Sequence, residues 1–481
     1  MKMLINGEWV DASNGEVIEV FDPGNAELVD TVPKGTEEDL NRAVSIASTE
    51  GKKAMANMPV LERSEILKRI AELAERDADR IGRLYSRENG KPLAQAVWEV
   101  TRLAFVFREF GESAKRVFGR TFDQSAMPGL QNNFAYTIRL PEGVVAGIVP
   151  YNYSVGLFAW KAAPSLGAGN AFIAKLPSEA PLAVMEIAKI MLEAGVPESA
   201  LHILTGPGKT LGEAMALHPE ISHLTFTGGT HTGKRIMALC AKTIKRISME
   251  LGGNDPLIVF DDADLKNAAV AAVRGRLSVT SGQVCSATKR VLVQENVIDE
   301  YTNLVVEEAS KLKLGYQLDE GVDVGPLISE EAAEKVEKMI NNAIENGAKL
   351  LIGGKRHENY VEPTVLGNMN PDMEIFRTEC FGPVLPLYAF KTEEEAVELA
   401  NDSPYGLSSG VFTNDLGRAI RTAHSIEAGT TNINSSGIAR PGNIPFKGFK
   451  QSGMGGGEDI HTTLMEFSIE KGIQIYNVFG K

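Results

Sequence analysis

The sequence predicts an α/β protein: a doubly wound cofactor-type lobe, a second α/β lobe, and a small β arm outside both. Three observations carry this. From about residue 143, short apolar runs alternate with helical segments, the pattern of strand–helix–strand units around a parallel sheet. A second alternating region follows Leu251-Gly252-Gly253-Asn254, a natural joint between lobes. Finally, 128–141 and 464–480 read as extended, partly alternating segments that could pair with each other or with another subunit.

The elements follow from periodicity. Residues 64–87 place Ile66, Leu67, Ile70, Leu73, Ala74, Ile81 and Leu84 at helical spacing, with Ser64 as an N-cap and Gly90 as a stop. A longer helix is expected over roughly 92–117, carrying Arg102 and Arg108 among apolar neighbours. Buried strands are expected at 143–149, 171–175, 201–204 and 223–227, with helices at 181–194 and 209–218 between them. In the second lobe, 256–260, 290–294 and 384–390 read as strands and 328–347 as a helix. Ligands of such sheets sit at the carboxyl ends of the strands.

Composition narrows the function. With 49 basic and 63 acidic residues the net charge is −14. That opposes sequence-independent nucleic-acid binding, which needs clustered cations, and opposes an anionic membrane surface. No apolar run approaches the ~20 residues of a bilayer span, and the N-terminus has no signal-like apolar core. Three cysteines exclude a disulfide framework, so a cytoplasmic enzyme is expected.

Each motif has a plainer reading beside the functional one. Gly206-Pro207-Gly208-Lys209-Thr210 suggests a phosphate loop, but Ile203 stands where the pattern needs glycine, so a turn entering a helix is the better reading. There is no H-E-x-x-H pair or zinc-type cysteine spacing, and no metal is expected. Cys285, in Ser281-Gly282-Gln283-Val284-Cys285-Ser286, could be a nucleophile or a small buried hydrophobe. Glu250 beside two glycines and Asn152 after a buried strand are each ordinary alone. Together the three supply a nucleophile, a carboxylate base and an amide donor, the parts needed to oxidise an aldehyde through a thioester.

In this order, the three resemble the aldehyde dehydrogenase superfamily. The resemblance runs from Leu4-Ile5-Asn6-Gly7-Glu8-Trp9 to Pro445-Phe446-Lys447-Gly448-Phe449-Lys450-Gln451-Ser452-Gly453. It includes Phe226-Thr227-Gly228-Gly229-Thr230, Glu250-Leu251-Gly252-Gly253, Gly282-Gln283-Val284-Cys285 and Glu379-Cys380-Phe381-Gly382-Pro383-Val384. The likeness implies a Rossmann-like cofactor domain over 1–122 and 142–252, a catalytic domain over 253–453, and bridging or oligomerisation strands over 123–141 and 454–481. A homodimer or homotetramer is expected.

By this likeness Cys285 attacks the aldehyde, Asn152 and the Cys285 N–H hold the oxyanion, and Glu250 activates the hydrolytic water. Lys161 is expected to lower the thiol pKa or order Asn152, or else to make a buried ion pair. For the cofactor, Lys175 matches a ribose-binding lysine, Gly208 lines the adenine side, and Gly228-Gly229 leads into a pyrophosphate-binding helix. Gly229 departs from the family's usual serine. Glu379 matches the nicotinamide-ribose carboxylate with Phe381 beside it, and Ile148, Pro150, Tyr151, Thr227 and Leu251 complete the cofactor contacts. Cys240 and Cys380 read as packing residues.

NADP is expected in preference to NAD. Ser178 stands where many NAD-preferring relatives carry a glutamate, although Glu179 is one residue on. The substrate is expected to be a small aldehyde, anionic or α-hydroxylated: 3-sulfolactaldehyde, glyceraldehyde 3-phosphate, lactaldehyde or a semialdehyde. Arg102, Tyr153 and Arg440 match anion-binding positions of the phosphate- and phosphonate-aldehyde branch, with Trp160, Val284, Ser286 and Phe446 also at the substrate. Val284 and Trp160 replace arginines found in some relatives. Two rivals are a CoA-acylating enzyme, disfavoured by Glu250, and a non-catalytic family member, which would show damage at Cys285, Glu250 or Asn152.

Overall fold

A computed structural model describes residues 1–479. Its largest sheet has eight strands. The five central ones are parallel and lie in the spatial order Leu201–Leu204, Ala171–Lys175, Val144–Ile148, His223–Thr227, Arg246–Glu250. Numbered along the chain this is 3-2-1-4-5, the doubly wound order. Its switch point opens between the ends of Val144–Ile148 and His223–Thr227. Four of the five strands are buried along their whole length, the fate of parallel strands covered by helices on both faces.

The second sheet has seven strands, with Asp255–Val259, Thr288–Gln294 and Val384–Phe390 at its centre. Its pleat is legible in the packing. Leu257 and Val259 enter one hydrophobic cluster with Val291 and Val293, while Ile258 and Leu292 enter another on the opposite face. Helix Glu330–Glu345 covers the latter face, its start capped by the Ser329 side chain. Strand Phe134–Pro141 pairs antiparallel with Ser468–Ile475 over eight residues, and Thr121–Phe122 extends this third sheet.

Some expectations need correction. The helix expected at 64–87 is two, Val60–Arg76 and Ala78–Asn89, broken at Asp77. It begins after Pro59, and Ser64 is buried inside the first helix, so Ser64 is not a cap. Asp77 sits in a bridge conformation with its carboxylate held by Arg76 and Arg80, which lets each helix turn its own apolar face inward. Gly90 does end the second helix, in the left-handed region at φ 85°. The long helix runs Leu93–Ala114. In the arm, the strand expected from residue 128 begins at Phe134, after turns, and residues Thr463–Glu466 are a short helix before the last strand.

Candidate active site

Three loops meet where the two large sheets face each other. The first, Pro150–Tyr153, leaves the strand Val144–Ile148 at the switch point and enters helix Ser154–Gly167. Asn152 is buried, and its side-chain Nδ2 donates to the Gln283 carbonyl at 2.8 Å. An amide carries two such hydrogens, so one anchors Asn152 to the cysteine loop and the other is left for a ligand.

The second loop carries Cys285. Just before it Thr280, Ser281 and Gly282 occupy left-handed backbone at φ 48°, 51° and 74°. A Cβ on Gly282 would lie 2.3 Å from the Gly382 carbonyl oxygen. Two non-glycine residues in this region store strain that the surroundings must overrule. They do so: Gln95 Oε1 accepts from the Thr280 N–H at 2.8 Å, and the Ser281 hydroxyl donates to the Gly325 carbonyl at 2.9 Å. Gln283 Oε1 accepts from the Ile328 N–H and the Tyr151 hydroxyl. Cys285 itself is partly exposed, unlike Cys240 and Cys380, which are buried as expected. Burial of the surroundings pushes its thiol up to about 12, and Lys289 is the cation that opposes this.

The third loop follows strand Arg246–Glu250. Glu250 is buried, and its Oε2 has no hydrogen-bond partner. Its carboxyl is raised well above the ordinary carboxylate range by burial first and then by Glu458, against Arg440 and Lys161. Gly252 and Gly253 are required by close approach. A Cβ on Gly252 would meet Glu379 Oε2 at 2.2 Å, and one on Gly253 would meet the Cys285 carbonyl oxygen at 2.6 Å.

Of the roles open to Lys161, the buried ion pair is the one found. It donates to Thr227 Oγ1 at 2.7 Å and Thr225 Oγ1 at 3.3 Å, and it pairs with Glu458 at 3.6 Å. It makes no hydrogen bond to Asn152, and the cation whose charge acts on the thiol is Lys289. Lys91 donates to the Asn152 carbonyl at 3.0 Å, and Lys289 donates to the Cys285 carbonyl. Sequence reasoning missed Glu458, Lys91 and Lys289. Each becomes visible only through contacts between distant loops or with backbone atoms that no motif marks.

The predicted anion-binding arginines do converge. Arg102 donates to the Arg440 carbonyl at 3.1 Å, and a Cβ on Gly442 would touch Arg102, Phe105 and Trp160. Arg440 stacks over Trp160 and Phe446, with its guanidinium 4.6 and 4.3 Å from the ring centres. The two arginines differ in pairing. Arg440 is held by Glu458 at 2.7 Å, though its buried Nε has no partner. Arg102 has no carboxylate partner among the described residues. Tyr153 is half-buried beneath Lys91, whose Nζ lies 4.0 Å from its ring centre, and lies near enough to feel the charge of Cys285. Val284 and Ser286 are buried flanks of the cysteine.

A cleft of about 840 Å³ opens beside these loops, lined among others by Tyr151, Glu179, Glu379 and Phe381. Phe381 packs edge-on to Tyr151 with ring centres 6.3 Å apart. Glu379 accepts from the Gly253 N–H at 3.1 Å. Helix Thr230–Cys240 begins at Gly229 with no side-chain cap, and a Cβ on Gly229 would meet nothing within 4 Å. An uncapped helix start facing open space fits a pyrophosphate. Lys175 is buried at the end of its strand, its amine lowered to about 8 by burial against the pull of Glu179. Gly208 borders it, a Cβ there lying 3.9 Å from Lys175 Nζ. Thr227, Leu251 and Ile148 are buried nearby, and Pro150 and Ser178 are half-buried. The donor set suits a dinucleotide. Among the described residues no cluster of His, Cys, Asp or Glu is suited to a metal ion, and no helix is long and apolar enough to cross a membrane.

A doubly wound cofactor lobe, a cysteine loop facing it and a buried carboxylate between them define an NAD(P)-linked aldehyde oxidoreductase, and known relatives agree. Residues 9–473 match the aldehyde dehydrogenase family, to which this chain belongs. It is 38% identical over 457 residues to the succinate-semialdehyde dehydrogenase [NADP(+)] GabD of Escherichia coli strain K12, covering 94% of this chain and 93% of that one. A crystal structure of an NADP-dependent enzyme of E. coli superposes with a TM-score of 0.95 at 36% identity, covering 99% of this chain and 98% of that one. Betaine aldehyde dehydrogenase from Staphylococcus aureus, solved in complex with NAD+, gives 0.95 at 34% identity, with 100% and 95% covered. The protein is an NAD(P)-dependent aldehyde dehydrogenase.

Proposed function

We propose that the enzyme oxidises a small anionic aldehyde to its acid, with Cys285 as nucleophile and Glu250 as the base for hydrolysis. The observation that carries the substrate reading is Arg102, a half-buried guanidinium with no carboxylate partner among the described residues, beside the unpartnered Nε of Arg440. A forked cation without a carboxylate partner suits a carboxylate, sulfonate or phosphate. The likeness to a succinate-semialdehyde dehydrogenase supports a semialdehyde within that class, beside 3-sulfolactaldehyde and glyceraldehyde 3-phosphate, with lactaldehyde the neutral α-hydroxy alternative.

In the proposed sequence the Cys285 thiolate attacks the aldehyde carbon, forming a hemithioacetal. The free Asn152 amide hydrogen and the Cys285 N–H receive the oxyanion. Bound NAD(P) supplies the hydride acceptor. As the carbon–oxygen double bond re-forms, hydride leaves and a thioester remains on Cys285. Glu250 takes a proton from water, whose oxygen attacks the thioester and frees the acid and the thiol. Its unpartnered Oε2 supports this role, and its raised carboxyl means that hydrolysis should accelerate as pH rises and the base ionises. Glu250 also favours hydrolysis over transfer to coenzyme A, and product formation unchanged by added CoA would bear this out.

Arg102→Ala should raise KM for succinate semialdehyde about 10- to 100-fold, the loss of one charged hydrogen bond, and leave propanal nearly unaffected. Arg440→Ala should harm both substrates, because it also releases Glu458 beside Glu250. Equal effects of Arg102→Ala on the two aldehydes would sink the anionic reading.

For the cofactor we propose NADP over NAD. Ser178 leaves the third position after Lys175 without a carboxylate, and Lys175 can pair with a 2′-phosphate. Glu179 lies near enough to Lys175 to oppose this. Glu179→Gln should therefore raise kcat/KM for NADP more than for NAD. A strong NAD preference in the unaltered enzyme would refute the assignment.

A further inference from the structure

Lys289, four residues past Cys285, has no part in the sequence of steps above. It lies near the start of strand Thr288–Gln294 and is only 2% exposed. A buried ammonium is costly unless all its hydrogens find acceptors. Lys289 Nζ donates to the Val284 carbonyl at 2.9 Å and to the Cys285 carbonyl, and it pairs with Glu379 Oε1 at 3.3 Å. One cation thus bridges the backbone of the cysteine loop to the carboxylate at the cofactor cleft.

The charged and titratable groups facing the thiol come from five elements. Lys289 lies on the strand that follows, Glu379 on the cleft loop, Asp255 at the start of strand Asp255–Val259, Glu250 at the end of its own strand, and Tyr153 beside Asn152. Among these groups only Lys289 is a cation. Asp255 and Cys380 also feel its charge. The thiolate is therefore opposed from several sides and favoured from one.

We propose that Lys289 is a positioning residue that sets the ionisation of Cys285, and that Glu379 attenuates it by sharing its charge. The inference rests on Cys285 being the nucleophile, as proposed above. An opposite charge within about 4–6 Å of an ionising group moves its midpoint by about one to three pH units. Removing Lys289 and removing the Glu379 charge should then act in opposite directions, which a merely structural role would not produce.

The test is alkylation of the cofactor-free enzyme by iodoacetamide across pH, followed by peptide mass so that Cys285 is read apart from Cys240 and Cys380. Lys289→Met should shift the midpoint upward and slow alkylation at pH 8 about tenfold or more, one pH unit being tenfold in thiolate. Lys289→Arg should restore most of the rate. Glu379→Gln should shift the midpoint downward and speed alkylation. Superimposable profiles for Lys289→Met and the unaltered enzyme overturn the proposal, as do shifts of the same sign in Lys289→Met and Glu379→Gln. If Lys289→Met does not fold, Glu379→Gln decides alone, and an unchanged or slower rate there overturns the proposal. Aldehyde turnover that survives complete alkylation of Cys285 would instead remove the nucleophile assignment beneath it.

Discussion

Cys285→Ala should abolish aldehyde-dependent NAD(P) reduction, while Glu250→Gln should give one burst of NAD(P)H per site and then near silence. The two differ because they remove different bonds. Without the sulfur no hemithioacetal forms, and hydride has no activated carbon to leave. In the Glu250→Gln variant the thioester still forms, but no carboxylate takes the proton from water. Glutamine keeps the shape of the side chain in its buried place, so folding should be little changed. The loss for Cys285→Ala should exceed about 10⁴-fold in kcat, the scale seen when a nucleophile is deleted from an acyl-transfer site. Rapid-mixing measurement of NAD(P)H separates the two, and full steady-state turnover in either variant would refute the assignments.

The second large effect is expected at a site far from the chemistry in sequence. Lys91 and Glu99 form an ion pair with side chains 1% and 2% exposed. Around it, Lys91 reaches the Asn152 carbonyl, Glu99 Oε1 accepts from the Gly156 N–H at 2.9 Å, and the Tyr85 hydroxyl accepts from the Ser154 N–H at 3.1 Å. The pair therefore holds Asn152 and the first turn of the helix that follows it. Lys91→Met leaves a buried carboxylate uncompensated and should cost about 3–5 kcal/mol. It should lower the urea midpoint and reduce kcat more than KM. Lys91→Met combined with Glu99→Leu should recover part of the stability, since no lone charge remains, but not kcat, because the Asn152 carbonyl and Gly156 N–H stay unheld. Full recovery of kcat in the double variant would show that the pair does not position the loop.

Helix Leu93–Ala114 explains why such control is possible. Gln95, Glu99 and Arg102 follow one another at spacings of four and three on one helix face. Gln95 fixes the strained turn before Cys285, Glu99 fixes the Asn152 loop through Lys91, and Arg102 reaches the loop of Arg440. Periodicity alone marks the helix. It says nothing about which loops its polar face will meet.

The alternation of strands and helices is legible in one dimension, because the strands are buried on both faces and read as continuous apolar runs. Cys285, Glu250 and Asn152 are legible too, since each sits in a short motif whose neighbours, glycines or a buried strand end, state the local backbone needs. Ser64 misled because a buried hydroxyl inside a helix and a capping one look alike in a string of letters. Lys161 stood out, but its partners Thr227 and Glu458 lie 66 and 297 positions away and could not be paired with it. Folding settled which cation meets which carbonyl or carboxylate: Lys91 with Asn152, Lys289 with Cys285, Arg440 with Glu458. Local pattern reports burial and backbone shape, whereas charge pairing depends on distances of a few ångströms between loops that only the folded sheets bring together.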